Sequence, residues 1–510
     1  MPIYQDGSLN LAALAVPNLY INLIPPSLLL LNGVPTSKIG IAGVASWGPV
    51  GVPVPLSTYG DHVREFGPLA ARTHDLGTAV ALAVLQGAQN IAGVRVSDGT
   101  EAAATATIGT TGLTVTAKWT GTFGNNISVV LSAGSAANSW RLTVGQAGSG
   151  RPPEVFDNIT GTGNALWVAL AAALNNGIPG QRSASDLVVA TAGNSTTAPT
   201  AGTTTLTGGT DGASGVNAAA MIGVDTVPRK GMYAFRKSGC SIVMLADVTD
   251  ATTWTVQASF GLAEGAYMML VGPAGQTAAA AATAKSTAGI DSKFVKVILG
   301  DWIYWNDPVT GITRMVSPQA VFAGRLGNLA PHLSGLNKEV YGVVGTQRSL
   351  SGAPYSEAEL QILALAGIDL ITNPVPGGAY FGIRMGRNAS SSASEHGDNA
   401  TRMTNFIAAT LDAGMGRFVG EVTSDASLRR TETTLGAFME TLKGDPTEPT
   451  SQMIEDFSVL CRASNNPPNR RALGYRTASV KVRYLAITEF FIVNLEGGQA
   501  VTIQRSPAAA

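Results

Sequence analysis

The run Ile39-Gly-Ile-Ala-Gly-Val-Ala45 is apolar without alternation and stops at Gly48-Pro49. An unbroken apolar run of that length between turn residues predicts a strand covered on both faces. Ser57 or Thr58 is placed to cap a short helix running to about Phe66. Thr73 precedes a second helix, whose Leu76, Val80, Ala83 and Val84 recur at helical spacing. Gly87 lies near its end, and Ile91, Val94 and Val96 supply the next strand. The alternation of strand and helix returns over 216–345. Ile242–Ala246, Met268–Val271 and Phe294–Leu299 read as strands, with helical stretches at Trp254–Leu262 and Ala278–Ala284 between them, a doubly wound pattern.

The last third continues in the same style. Ser356 with Glu359 fits a capping box, Gly367 closes that helix, and Ile368–Ile371 follows as a strand. Thr401–Ala413 carries Met403, Phe406, Ile407, Thr410 and Leu411 on one helical face. Ser424 caps a further helix with Leu428, Leu435, Phe438, Met439 and Leu442 at heptad-like spacing, ended by Gly444. Phe457–Ala463 reads as a strand, followed by the turn Asn465-Asn466-Pro467-Pro468. Ala478, Val480, Val482 and Tyr484 then alternate with Ser479, Lys481 and Arg483, the period of a half-buried antiparallel strand. Phe490–Leu495 and Val501–Gln504 predict two more strands.

Two stretches break the pattern. Residues 101–215 are rich in Thr, Ala, Gly and Ser, with short runs such as Leu113–Ala117, Ile127–Leu131 and Thr203–Leu206 that read as strands, and one helix over Ala165–Leu174. This predicts a mostly β insertion that leaves through Gly208-Gly209-Thr210-Asp211-Gly212. Residues 1–38 show no sustained period. Leu19, Tyr20, Ile21, Leu23 and Ile24 are too apolar for a free tail, so the segment reads as an arm that lies on another chain or on its own body.

Composition narrows the function. Only 13% of residues are charged and the net charge is −1, which suits a chain that covers its surface with neighbours and gives no global pull toward nucleic acid. The stretch Leu11–Leu31 is broken by Pro17, Pro25 and Pro26, so neither a signal peptide nor a membrane span is expected. Two distant cysteines, Cys240 and Cys461, suit a reducing compartment. The four histidines stand in no metal-ligand spacing, and neither a Gly-x-Ser-x-Gly elbow nor a P-loop is present. His74-Asp75 reads as the solvated first turn of a helix. Asp301, Asp307 and Asp369 read as turn residues. No catalytic site, cofactor or metal is expected. Between Phe457 and Thr488 there are six basic residues and no acid, which reads first as a solvated face paired with acids from elsewhere in the chain and second as a surface complementary to an acidic partner.

Several stretches in order resemble the contractile bacteriophage tail sheath family. Ile41-Ala-Gly-Val-Ala-Ser-Trp-Gly-Pro-Val50 is similar to its strand ending in a Gly-Pro turn, and Ala92-Gly-Val-Arg-Val96 to its Val-Arg-Val strand. Ala117-Lys-Trp-Thr-Gly-Thr-Phe-Gly-Asn-Asn-Ile127 resembles the entry to its inserted domain, and Leu206-Thr-Gly-Gly-Thr-Asp-Gly212 the exit. Trp302-Ile-Tyr-Trp-Asn-Asp-Pro308, Val321-Phe-Ala-Gly-Arg325 and Asn465-Asn-Pro-Pro468 resemble later landmarks. Pro17-Asn18-Leu19-Tyr20-Ile21 departs from the family's Pro-Gly-Val-Tyr-acid opening.

The resemblance implies a multidomain α/β protein with an inserted mostly-β domain. An arm (1–38) would precede a core assembly domain made from both chain ends (39–100 and 346–510), with an outer β domain (101–215) and an α/β middle domain (216–345) between. It implies a homo-oligomer of stacked rings or a helical array around a tail tube protein, meeting baseplate and tail terminator proteins. No direct nucleic acid and no membrane insertion are expected. Assembly would take place in the host cytoplasm, and the product would be a virion tail. Leu19, Tyr20, Ile21, Leu23 and Ile24 would form the inter-subunit arm, and Phe490, Phe491, Ile492, Val493, Val501 and Ile503 the C-terminal linking strands. Arg429, Arg430, Lys443, Lys481 and Arg483 are the candidate tube-facing residues. A sheath of a related injection machine is the rival reading, ahead of an α/β enzyme or a tube or adhesin.

Overall fold

The computed structural model describes residues 3–6, 20–23, 31–445 and 451–495. Its centre is a seven-stranded sheet in the order Ile368–Asp369, Val295–Ile298, Tyr267–Val271, Ile242–Leu245, Ile39–Gly43, Ile91–Arg95, Val54–Leu56. All neighbours are parallel except the last pair. Helices cover both faces, which is why the inner strands are apolar at every position rather than at alternate ones. Tyr267–Val271 and Ile39–Gly43 are buried throughout.

This sheet joins segments far apart in sequence. Ile39–Gly43 pairs with Ile242–Leu245 in register Ile39↔Ile242, and the core around the sheet takes side chains from residues 39–96, 221–340 and 363–389. From the last third only Ile368–Asp369 joins the sheet, while residues 403–454 build a separate apolar cluster that includes Leu31. Parallel strands need long crossovers, so partners 200 residues apart leave no local signal.

Residues 103–205 form two antiparallel sheets. One has the order Glu154–Ile159, Trp140–Gln146, Ile127–Ala133, Gly202–Thr205; the other is Val188–Ala192, Leu113–Thr120, Ala103–Ile108. The helix Asn164–Asn176 packs its Leu166, Trp167, Leu170 and Leu174 into their shared core.

The insertion is fastened to the central sheet by a buried arginine. Arg95, at the end of its strand, donates from Nη1 to the carbonyls of Gly48 (2.9 Å) and Thr120 (2.6 Å), and from Nη2 to that of Asp211 (3.0 Å). Burial lowers its pKa to about 10. The Asp211 carboxylate accepts from Arg72 Nη1 at 2.6 Å and from the Thr122 backbone N–H at 2.6 Å. Gly121 lies in the same junction at φ +128°, where an added Cβ would stand 2.1 Å from the Ser46 carbonyl oxygen. Gly121→Ala is therefore expected to cost about 2 kcal/mol through strain and displacement of backbone, read as a lower denaturant midpoint.

The C-terminal part is a helical hairpin, Asp398–Met415 and Asp425–Lys443, under a two-stranded antiparallel ribbon, Ile454–Leu460 with Ser479–Tyr484. Ser424 opens the second helix through a capping box with Ser427, and Gly444 ends it. Three buried charges tie this part to the sheet. Lys296 Nζ lies 2.6 Å from Asp369 Oδ2 and 3.0 Å from Asp398 Oδ1, and Tyr267 donates its hydroxyl to Asp398.

Two further expectations change. Phe490–Leu495 is not a strand here but an irregular exposed segment that pairs with no strand among the described residues. Asp75 is not solvated: it is 2% exposed, caps the helix Leu76–Leu85 by accepting from the Thr78 N–H, and faces Arg72 Nε at 2.9 Å. His74 takes φ +60° and its Nδ1 lies 2.6 Å from the Ala246 carbonyl. At the other end of the chain Ile3–Asp6 pairs in parallel with Tyr20–Leu23. Leu19, Ile24, Val501 and Ile503 lie outside the described residues.

Candidate assembly surface

The crevice where ligands usually bind in an open α/β sheet lies at the carboxyl ends of the strands, where the order reverses. Here it is a cavity of about 320 Å³ beyond Ile39–Gly43 and Ile242–Leu245, bordered by Arg72, Asp75, Thr78, Asp247 and Arg314. These groups mostly bind one another. Arg314 donates from Nε to Asp307 and from Nη2 to Thr78, Thr78 donates to Asp75, and Asp247 accepts from the His74 backbone N–H. Burial pushes the Asp247 carboxyl up to about 6. The arrangement cross-links the helix start, the strand end and the strand Thr313–Val316, and presents no nucleophile beside a free base. Among the described residues no cluster of His, Cys, Asp or Glu could hold a metal ion, and no helix is long and apolar enough to cross a membrane. Both thiols, Cys240 and Cys461, are buried and unpaired.

The surface features left open among the described residues are backbone edges and apolar side chains. Alternation puts Phe457, Val459, Val480, Val482 and Tyr484 half-buried against the helical hairpin and leaves Lys481 and Arg483 outside. The ribbon has two strands, so each has an outer edge that no other described strand covers. An open edge is a row of N–H and C=O groups ready for another strand.

The chain leaves this ribbon along a fixed path. Tyr484 hydrogen-bonds Thr404 Oγ at 2.9 Å, the Leu485 carbonyl accepts from Asn399 at 3.2 Å, and Glu489 is held by Arg387. Directly after that anchor the chain turns fully outward. Phe490, Phe491, Ile492 and Val493 are 79%, 86%, 80% and 69% exposed, and Leu495 92%. An apolar run of this length left in water marks a binding segment.

The five candidate basic residues do not form one patch. Arg430 pairs with Glu421, Lys443 with Asp456 at 3.0 Å, and Arg483 with Glu455 at 3.1 Å. Lys481 is exposed opposite Ser458, and Arg429 is exposed near the start of the second helix. That helix is 19 residues long, which places Arg429 and Lys443 at opposite ends about 20 Å apart. Sequence reasoning missed four exposed apolar residues near the helix start, Val419, Val422, Leu473 and Tyr475. The signal for them was apolar residues set inside the turns around Gly420 and Gly474.

No protein-family model matches the chain, and no curated protein matches it by sequence. Its fold does match solved structures. The sheath tail protein of Desulfitobacterium hafniense superposes with a TM-score of 0.56 at 17% identity, over 87% of this chain and 93% of that one. A sheath tail protein of Listeria innocua gives 0.58 at 14% identity, over 89% and 96%. The helical sheath of the anti-feeding prophage in its contracted state gives 0.53 at 12% identity, over 95% and 99%. The chain thus has the fold of the contractile tail sheath proteins.

Proposed function

We propose that this chain is the structural subunit of a contractile phage-type tail sheath. The observation that carries the reading is the ribbon whose outer edges no other described strand covers, together with the exposed apolar segment 490–495, an acceptor and a donor for strand exchange that do not pair with each other among the described residues. Such exchange gives main-chain hydrogen bonds between subunits while side chains set register. The arm residues Leu19, Tyr20, Ile21, Leu23 and Ile24 supply the second added strand, and Val501 and Ile503 extend the first. Subunits stack around a tube protein between baseplate and terminator. Contraction is a rigid-body repacking into a lower-energy array, powered by energy stored at assembly, with no cofactor and no catalysis. The tube is then driven through the host envelope. The match to the anti-feeding prophage sheath supports the second reading, a sheath of a related injection machine.

Truncation after Glu489 tests the proposal. The shortened chain is expected to keep its unfolding midpoint, because the described part of the deleted segment is exposed and packs on nothing. Full-length protein is expected to form rings or hollow striated tubes in negative-stain electron microscopy, alone or on the tube protein, and the truncated chain to stay monomeric. A truncated chain that polymerises as readily as the full one rules out the exchange.

A further inference from the structure

The C-terminal part has two chemically opposite ends. Its helices run antiparallel, with Phe406 and Phe438 meeting edge to face at 6.2 Å, so the link 416–424 and the start of Asp425–Lys443 lie at one end. The turn 461–478 joins them there, through Arg471–Asp425 at 2.7 Å and Arg476 Nη2 to Ser427 Oγ at 2.9 Å. This end holds seven arginines against four carboxylates, Asp412, Glu421, Asp425 and Glu432. Arg429 and Arg470 are exposed and form no ion pair among the described residues. The same end carries Val419 and Val422, both 85% exposed, with exposed Leu473 and Tyr475. Exposed apolar and aromatic side chains together with arginine are the composition of a protein–protein contact.

The other end lies about 27 Å away along the helix. The Met453 N–H bonds the Leu442 carbonyl there, and the ribbon starts beside it. This end carries Glu440, Asp445, Glu455 and Asp456 and only two cations beside them, Lys443 on Asp456 and Arg483 on Glu455, an excess of acid among the described residues. Glu440 is exposed and forms no ion pair among the described residues. The apolar segment Phe490–Leu495 emerges at this same end, beyond the start of Asp398–Met415.

We propose that the basic end of one copy docks on the acidic end of the next. The occupant is a second copy because this chain itself carries the complementary surface, opposite in charge and with an exposed apolar segment beside it. The contact is head-to-tail, so it propagates rather than closes. The charges set register and suppress wrong pairings, and the apolar side chains supply the affinity. The docking rests on the sheath reading above, and adds to strand exchange a contact between folded faces.

A charge swap tests it on the full chain. Arg429→Glu with Arg470→Glu makes one variant, and Glu440→Lys with Glu455→Lys the other; all four sites are exposed, and a thermal melt by circular dichroism confirms the fold. Each variant alone is expected to raise the concentration needed for polymer, read by sedimentation, about tenfold or more. Their equimolar mixture restores two complementary contacts per pair and is expected to polymerise near the wild-type concentration. Variants that polymerise like wild type, or a mixture no better than its components, overturn the docking and leave the sheath reading standing. Wild-type protein that stays monomeric at every concentration, with and without tube protein, overturns both.

Discussion

Lys296→Met is expected to lower the folding stability by about 3–5 kcal/mol. The side chain is wholly buried, and its ammonium faces Asp369 and Asp398. Burial by itself would depress the lysine pKa, yet the two carboxylates outweigh it and hold the value above normal. Methionine fills the volume and removes the charge, leaving two carboxylates buried without their counter-ion. Asp369 keeps backbone donors from Met385 and Gly386, and Asp398 keeps Tyr267, so the loss is large without being total. Urea unfolding followed by tryptophan fluorescence reads the effect as a lower midpoint. A change under 1 kcal/mol would mean that the network is not what joins the helical hairpin to the sheet.

The second large effect depends on pH. His62 is 1% exposed, stacked on Tyr59 at 5.9 Å, and neither ring nitrogen has a partner. Burial, aided by the charge of Arg72, lowers its pKa from 6.5 to about 3. Above pH 6.5 the ring is neutral in both folded and unfolded chains and contributes no slope. Below it only the unfolded chain takes the proton, so stability falls by about 1.4 kcal/mol per pH unit, in total about 5 kcal/mol by pH 3. Asp247 works in the opposite sense between pH 6 and 3.8, since its raised pKa lets the folded chain bind a proton first. The readout is therefore the difference between wild type and His62→Phe, which keeps the aromatic stack and removes the titration. That difference should be flat above pH 6.5 and grow steadily in favour of the variant below it. A difference that stays flat down to pH 4 would show that His62 reaches a proton acceptor in the native state.

Much of the local structure was legible in the chain. The Thr58, Ser356 and Ser424 caps are written in three or four residues each, and the structure shows all three as capping boxes. The mostly β character of residues 103–205 followed from their threonine runs. What was not legible depends on partners far away in sequence. Nothing near Ile39 says that it lies beside Ile242. Lys296 sits inside an apolar run that reads as a strand, and only the folded chain brings Asp369 and Asp398 to it. Asp75 looks like a surface cap until Arg72 and the strand end close over it. For the candidate surface, the apolar character of Phe490–Val493 was plain. The absence of a pairing strand for it among the described residues, and the separation of Arg429 from Lys443, required the fold.

The Arg95 junction has a practical corollary. Carbonyls from the entry and the exit of the β insertion, those of Thr120 and Asp211, converge on one buried guanidinium that also holds Gly48 of its own unit, so the insertion cannot swing on the central sheet without breaking both crossing bonds. Strand Ile127–Ala133 starts at that junction and carries its hairpin tip about 20 Å away from it. A probe placed on exposed Ala137 at that tip is thus a pointer welded to the central sheet: its orientation in any assembly reports the orientation of the whole subunit, with no linker to blur the reading.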